Sequence, residues 1–137
     1  ILRHVLEHVR DPHAFLTSLR RHGARQFYIV VPNSASAERR LLGRYWYLWD
    51  PPRHLWHFDR QSLERLCGRL GLTVVEQAVG TAPTLLPSLY RYLRLQGWPA
   101  VIYERFGPTS GLTAMLAPLN LLLRGNVVWL IARVPWE

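Results

Sequence analysis

Lysine is absent from this chain, and cysteine and methionine each occur once. Without a second cysteine no internal disulfide can form, and no Cys cluster is available for a structural zinc site. The lone thiol, Cys67, gives no sign of a secreted scaffold, so the cytoplasm is the expected location. Nor does any apolar run reach the roughly 20 residues that a membrane-spanning helix requires. GLTAMLAPLNLLL, residues 111–123, is shorter than that and is interrupted by Pro118 and Asn120. Acidic residues are few: 9 against 17 basic ones, a net charge of +8. Such an excess ordinarily raises nucleic acid as a partner. Here every basic residue is arginine, spread from Arg3 to Arg133 with no block longer than two. Phosphate-tracking surfaces usually mix lysine with arginine and concentrate both. No nucleic-acid partner is therefore expected, and the arginines read as solvated faces.

What is present describes a folded domain. Of 137 residues, 49% are apolar and 19% charged, which excludes a disordered chain and allows one core. Asp11-Pro12 starts a helix, with Asp11 as the cap and Pro12 at a first-turn position whose N–H has no partner anyway. Phe15, Leu16 and Leu19 share one face, and Gly23 ends the helix. QFYIVV, residues 26–31, is apolar on both faces, as a strand inside a parallel sheet requires. A second helix begins at Asp59, with Leu63, Leu66, Cys67 and Leu70 at helical spacing and Gly71 as the stop. LTVVEQAV (72–79) and VVWLIAR (127–133) read as further strands. Helix alternating with buried strand predicts an α/β sheet. Two stretches break the rhythm. Residues 33–58 form a long connection dense in Arg, Tyr, Trp and His, and such loops tend to be functional. Residues 83–124 read as two or three helices broken at Pro87, Pro99, Pro108 and Pro118. The expected division is an α/β core over 1–82, a helical insertion or lid over 83–124 and a terminal strand over 125–137.

The opening phrase HVLEH, residues 4–8, has the H-x-x-E-H spacing that some zinc proteases carry on a helix. Two histidines one turn apart suit a metal only if residues 1–9 are helical, and Asp11-Pro12 would end that helix at once. A bare match of this kind is a weak signal. No metal is expected here.

The wider phrase carries more. HVLEHVRDPHAFLTSLRR, a glycine-containing turn, FYIVVPN and then GRYWYLWDPPRHLWHFDRQSLERLCGRLGLTVVE resemble, in order, the second half of a class I S-adenosylmethionine-dependent methyltransferase. The likeness is greatest to the small-molecule branch that includes quinone-biosynthesis and glycan-modifying enzymes. It covers residues 1 to about 80 and extends loosely to GNVVWLIARVP, which is similar to the family's terminal antiparallel strand. The resemblance implies a Rossmann-like sheet represented by its C-terminal half, with a helical insertion before the last strand. It implies S-adenosylmethionine as cofactor and a small molecule as methyl acceptor. It also implies that the family's glycine-rich loop and ribose-binding acid belong upstream of Ile1. The chain is accordingly expected to be a fragment that binds the cofactor poorly on its own. The rival expectation is a non-catalytic remnant or interaction module that keeps the substrate half of the fold.

Methyl transfer from a sulfonium chiefly needs an acceptor held in line in a dry pocket, with a base where the acceptor is a hydroxyl. His54 and His57, in DPPRHLWHF, are the candidate base or acceptor contacts; the competing reading is a purely structural role, bonding backbone in a proline-rich turn, as loop histidines often do. His4 and Val5 are cofactor-side residues by resemblance alone. His8, Asn33, Tyr45, Trp46 and Trp49 are candidate substrate contacts, the aromatics forming a flat wall for a ring or an apolar tail. Packing of the loop and turn formation by Asn33 are the competing readings. Residues 83–124 are expected to cover the site. Their alternative is peripheral membrane contact, with Trp98, Arg91, Arg94 and Arg105 at the headgroups. Neither the acceptor nor the oligomeric state can be read from the sequence.

Overall fold

Two of the segments set out above fold around caps visible in the sequence. The structure, a computed structural model, describes residues 1–82, 84–95, 118, 119, 123 and 125–135. Helix α1 spans Pro12–Arg21, and the Asp11 side chain accepts a hydrogen bond from the Ala14 N–H at 2.9 Å. Helix α3, Arg60–Arg69, opens with a reciprocal box: Asp59 accepts from the Ser62 N–H, while the Asp59 N–H donates to the Ser62 hydroxyl. The N–H first, and the hydroxyl after it, hold the Asp59 carboxyl below its ordinary value of 3.8. Asp59→Ala should therefore cost about 1 kcal/mol of stability. Because the folded pKa is depressed, that contribution is present above pH 3.8 and is lost as pH falls through the folded value. Denaturation curves at neutral and acid pH check this: the gap between wild type and variant should close on acidification.

Four strands make one mixed sheet in the order β1-β2-β4-β3: β1 is Leu2–Arg3, β2 Gln26–Pro32, β3 Thr73–Gly80 and β4 Val127–Arg133. Strands β1 and β2 are parallel, joined through α1, while β4 runs antiparallel to both β2 and β3. The last strand in sequence thus lies inside the sheet, and an α/β Rossmann-like arrangement results. The antiparallel β4 agrees with the terminal strand that the resemblance implied, and β2 has a parallel neighbour only on its β1 side. An apolar run reports burial and carries no information on pairing direction.

The core alternates along the strands as a pleat demands. Phe27, Ile29 and Val31 of β2 and Val128, Leu130 and Ala132 of β4 meet Leu16 of α1 and Leu63 and Cys67 of α3. Arg20 ties the two helices by donating to the Leu70 carbonyl at the end of α3. Burial pushes the Cys67 thiol up to about 11, so it behaves as a small core hydrophobe. On the other face of the sheet Tyr28 stays partly exposed, its ring 6.1 Å from Trp129. The register of β3 on β4 slips at Val74/Glu76, and the intervening Val75 is exposed. Such irregularities are common on outer strands.

The long connection after β2 is more ordered than an irregular loop. It contains helix α2, Ala37–Leu42, and two 3-10 turns, Gly43–Tyr45 and Tyr47–Trp49. Helix α4, Leu85–Leu95, includes Pro87 in its first turn, where proline is tolerated, so no break occurs there. Pro118 is likewise helical. Pro99 and Pro108, and the expected headgroup contacts Trp98 and Arg105, lie outside the described residues. Among the described residues, no helix is long and apolar enough to cross a membrane.

Candidate active site

Parallel β1 and β2 end on the same side of the sheet, at Arg3 and Pro32. The turn after β1 and the long connection after β2 therefore meet at one carboxyl edge, where α/β folds gather ligands. His4 adopts a left-handed φ of 54°, which stops strand β1 and reverses the chain. The Glu7 carbonyl accepts from the Leu55 N–H at 2.7 Å and the Trp56 N–H at 3.3 Å. The Trp56 indole donates to the Val9 carbonyl at 3.0 Å. These bonds strap the 54–57 segment onto the HVLEH turn.

Residues 1–9 are thus a strand end and a turn, so His4 and His8 do not share a helix face. His4 Nδ1 donates to Glu7 Oε1 at 3.1 Å, and Glu7 Oε2 is buried with no hydrogen-bond partner. His8 Nδ1 donates to the Arg53 carbonyl at 3.0 Å, and His54 Nδ1 to the Leu48 carbonyl at 2.8 Å. With carbonyls as acceptors the protons sit on Nδ1, which leaves both Nε2 atoms as lone-pair donors. The two rings meet edge-on at 4.7 Å. Glu7, His8 and His54 each place a ligand atom within 4.8 Å of the others, so this trio, and not His4, Glu7 and His8, could hold a cation. Val5 is half-buried in the same turn.

The connection after β2 and α4 enclose a cavity of about 750 Å³ lined by Arg39, Arg40, Gly43, Arg44, Trp49, Pro51, His57 and Arg91. His57 also borders a second cleft of about 450 Å³ together with Trp56, Arg10 and Asp11. Its ring stands edge-on to Trp49 at 4.5 Å. Partial burial first, then the charges of His54 and Arg39, lower its pKa from 6.5, so the imidazole is neutral at pH 7. Among the described residues, no carboxylate lines the larger cavity.

The expected substrate contacts divide. Trp49 lines the cavity. Tyr45 stands at its margin, edge-on to Tyr92 at 5.0 Å and accepting from Arg44 at 2.7 Å. Trp46 is 0% exposed and packs edge-on behind Trp49 at 5.7 Å, so it backs the wall and does not touch an acceptor. Loop aromatics look alike in sequence; only packing tells wall from filler. Asn33 has both ends of its amide engaged, donating to the Gly125 carbonyl and accepting from the Ala35 N–H at 3.0 Å. It joins the end of β2 to the start of β4, as a turn asparagine does. His8 is exposed and lies with the Glu7–His54 group, away from the residues that line the larger cavity.

Arg39, Arg40, Arg44 and Glu38 escaped the sequence reading, and Arg91 entered it only as a headgroup contact. Arg39, Arg40 and Arg44 fall within six residues of an aromatic-rich connection, and that local density was the available signal. Arg91 arrives from α4, more than forty residues on, and nothing local announces its place in this cavity.

Residues 1–77 match the family of methyltransferase domains. The chain belongs to that family. No curated protein matches it. Methyltransferase domains of this family generally use S-adenosylmethionine, and the turn after β1 offers residues that suit it. The buried, unpartnered Glu7 oxygen is an acceptor beside half-exposed His4, and the cofactor carries a sulfonium and an ammonium cation. His4, Val5 and Glu7 are thus the residues of this methyltransferase domain that would hold part of it.

Proposed function

We propose that this methyltransferase domain moves a methyl group from S-adenosylmethionine to a small-molecule acceptor bound in the arginine-lined cavity at the carboxyl edge. The family match over residues 1–77 carries this reading, and the convergence of the HVLEH turn, His57 and Trp49 on one edge supports it. When bound, the cofactor supplies an electrophilic methyl. The chain's own residues bind, orient and deprotonate. Trp49 offers a flat face to the acceptor, the strapped 54–57 segment narrows access for water, and neutral His57 removes a proton from an acceptor hydroxyl. Its ring is suited to this because its pKa is lowered and no described hydrogen bond occupies it. In this reading the domain acts in the cytoplasm, and the present residues supply the acceptor side together with one wall of the cofactor pocket.

The test is calorimetric titration of the protein in the full length its gene encodes, with S-adenosylhomocysteine. Binding is expected, and His4→Ala should weaken it several-fold. Absence of binding to the full-length protein would favour the rival, a non-catalytic module that keeps the acceptor half of the fold.

A further inference from the structure

Resting on that reading, the geometry points to an acceptor that carries a phosphate or diphosphate group, held by Arg39, Arg40, Arg44 and Arg91. Like charges around one cavity repel, and a surface free to spread them would do so. These four instead converge from α2, a 3-10 turn and α4 on a space whose described lining holds no carboxylate. Arg53, which does pair with a carboxylate, Asp50 at 2.6 Å, lies outside this lining.

Their internal contacts orient them and leave their charge unmatched. Arg91 donates to the Trp46 carbonyl at 3.2 Å, and Arg44 to the Tyr45 hydroxyl. Arg39 lies 5.2 Å over the Trp49 ring, with its Nε buried and unpartnered. Stacking on an aromatic face fixes the guanidinium plane while its other N–H groups remain available to an anion. Planar forked donors match phosphate oxygens two at a time.

Charge sets the class of ligand. Four cations exceed what a single carboxylate would balance, whereas a phosphate monoester brings close to two negative charges at neutral pH. Size adds a second constraint, since about 750 Å³ is far more than a phosphate fills. The remainder, walled by Trp49 and Pro51, takes an apolar or ring-bearing body, and His57 on the same wall faces its methyl-accepting end.

The probes are phenyl phosphate, benzoate and benzyl alcohol, titrated into the full-length protein while tryptophan fluorescence is followed. Phenyl phosphate should bind at least about tenfold tighter than benzyl alcohol, a gap of roughly 1.4 kcal/mol. Arg40→Gln, at an exposed position, and Arg39→Gln should each weaken it about fivefold or more. Arg21→Gln, at the far end of α1, should change nothing. Equal binding of benzoate and phenyl phosphate, or an equal loss in Arg21→Gln, would overturn the assignment. Vesicles containing phosphatidic acid separate the two sources of the group. Vesicle binding that is lost in Arg40→Gln and is competed by phenyl phosphate supports a phosphate presented by a lipid; binding of phenyl phosphate with no binding of the vesicles supports a soluble one. Titration with S-adenosylhomocysteine is scored separately. Loss of phosphate recognition with cofactor binding intact sinks this inference alone, and the reverse pattern sinks only the methyltransferase reading.

Discussion

Glu38→Ala is expected to destabilise the protein by about 3 kcal/mol or more, because it strips one acceptor from three buried donors at once. Glu38 is 0% exposed. It accepts from the Thr84 hydroxyl at 2.6 Å, the Ser88 hydroxyl at 2.7 Å and the Asn126 amide at 2.9 Å. Those donors come from the start of α4 and the residue before β4, so one carboxylate joins α2 to two distant parts of the chain. The network reaches further: Ser88 also accepts from the Tyr47 N–H, and Asn126 both donates to the Ala82 carbonyl and accepts from the Ala82 N–H. Alanine would leave the donors facing a hole that no described side chain can fill. In a chain of this size the loss corresponds to a fall in melting temperature of roughly 10 °C. Glu38→Gln keeps the shape and one good acceptor, so it should lose less than half as much. Chemical denaturation of both variants is the measurement. A shift under about 1 kcal/mol for alanine would mean that the network is spectator geometry. Arg39 and Arg40 follow Glu38 on α2, so the same variant should also weaken any ligand of the arginine cavity.

The elements that the sequence disclosed are those whose stability is local. Asp11-Pro12 and Asp59 cap their helices with neighbours three residues away, and leucine spacing marks the faces that meet Ile29 and Leu130. That residues 33–58 read as a long connection without elements had a different cause. Helix α2 reads AERRLL, too short and too polar to show an apolar stripe. It exists because Ser36 caps it and because Glu38 finds donors 46, 50 and 88 residues away. No window along the chain contains that information. Strand β1 is two residues long, and a period of two cannot be recognised in it. Arginines spaced along the sequence looked dispersed for the same reason: dispersion along a chain says nothing about convergence in space. Within the site, His57 and Trp49 were legible as chemistry-bearing residues of a long loop. The burial of Trp46 and the tying of Asn33 depend on which side of the loop faces inward.

His57→Gln should lower kcat by about a hundredfold if the acceptor is a hydroxyl, the lower end of what a positioned base contributes. The pH profile makes the claim specific. A lowered pKa places the acid limb of kcat/KM below pH 6.5, where protonation removes the lone pair. Stability must follow the same titration. The unfolded state, with the ordinary pKa, takes up its proton first as pH falls, so the stability that neutral His57 confers is full above pH 6.5 and declines below it. His57→Gln should flatten both curves, and a purely structural histidine would flatten only the second. His54 supplies the contrast. Its Nδ1 is committed to the Leu48 carbonyl and its Nε2 sits 3.8 Å from Asp50, with 7% of the side chain exposed. Replacing it should disturb the loop that carries His57 and raise KM along with any loss in kcat. If His57→Gln retains kcat within a few-fold while His54→Gln abolishes it, the proton passes through the buried ring beside Glu7 and His8, and the cation-competent trio takes over the role assigned here to the cavity wall.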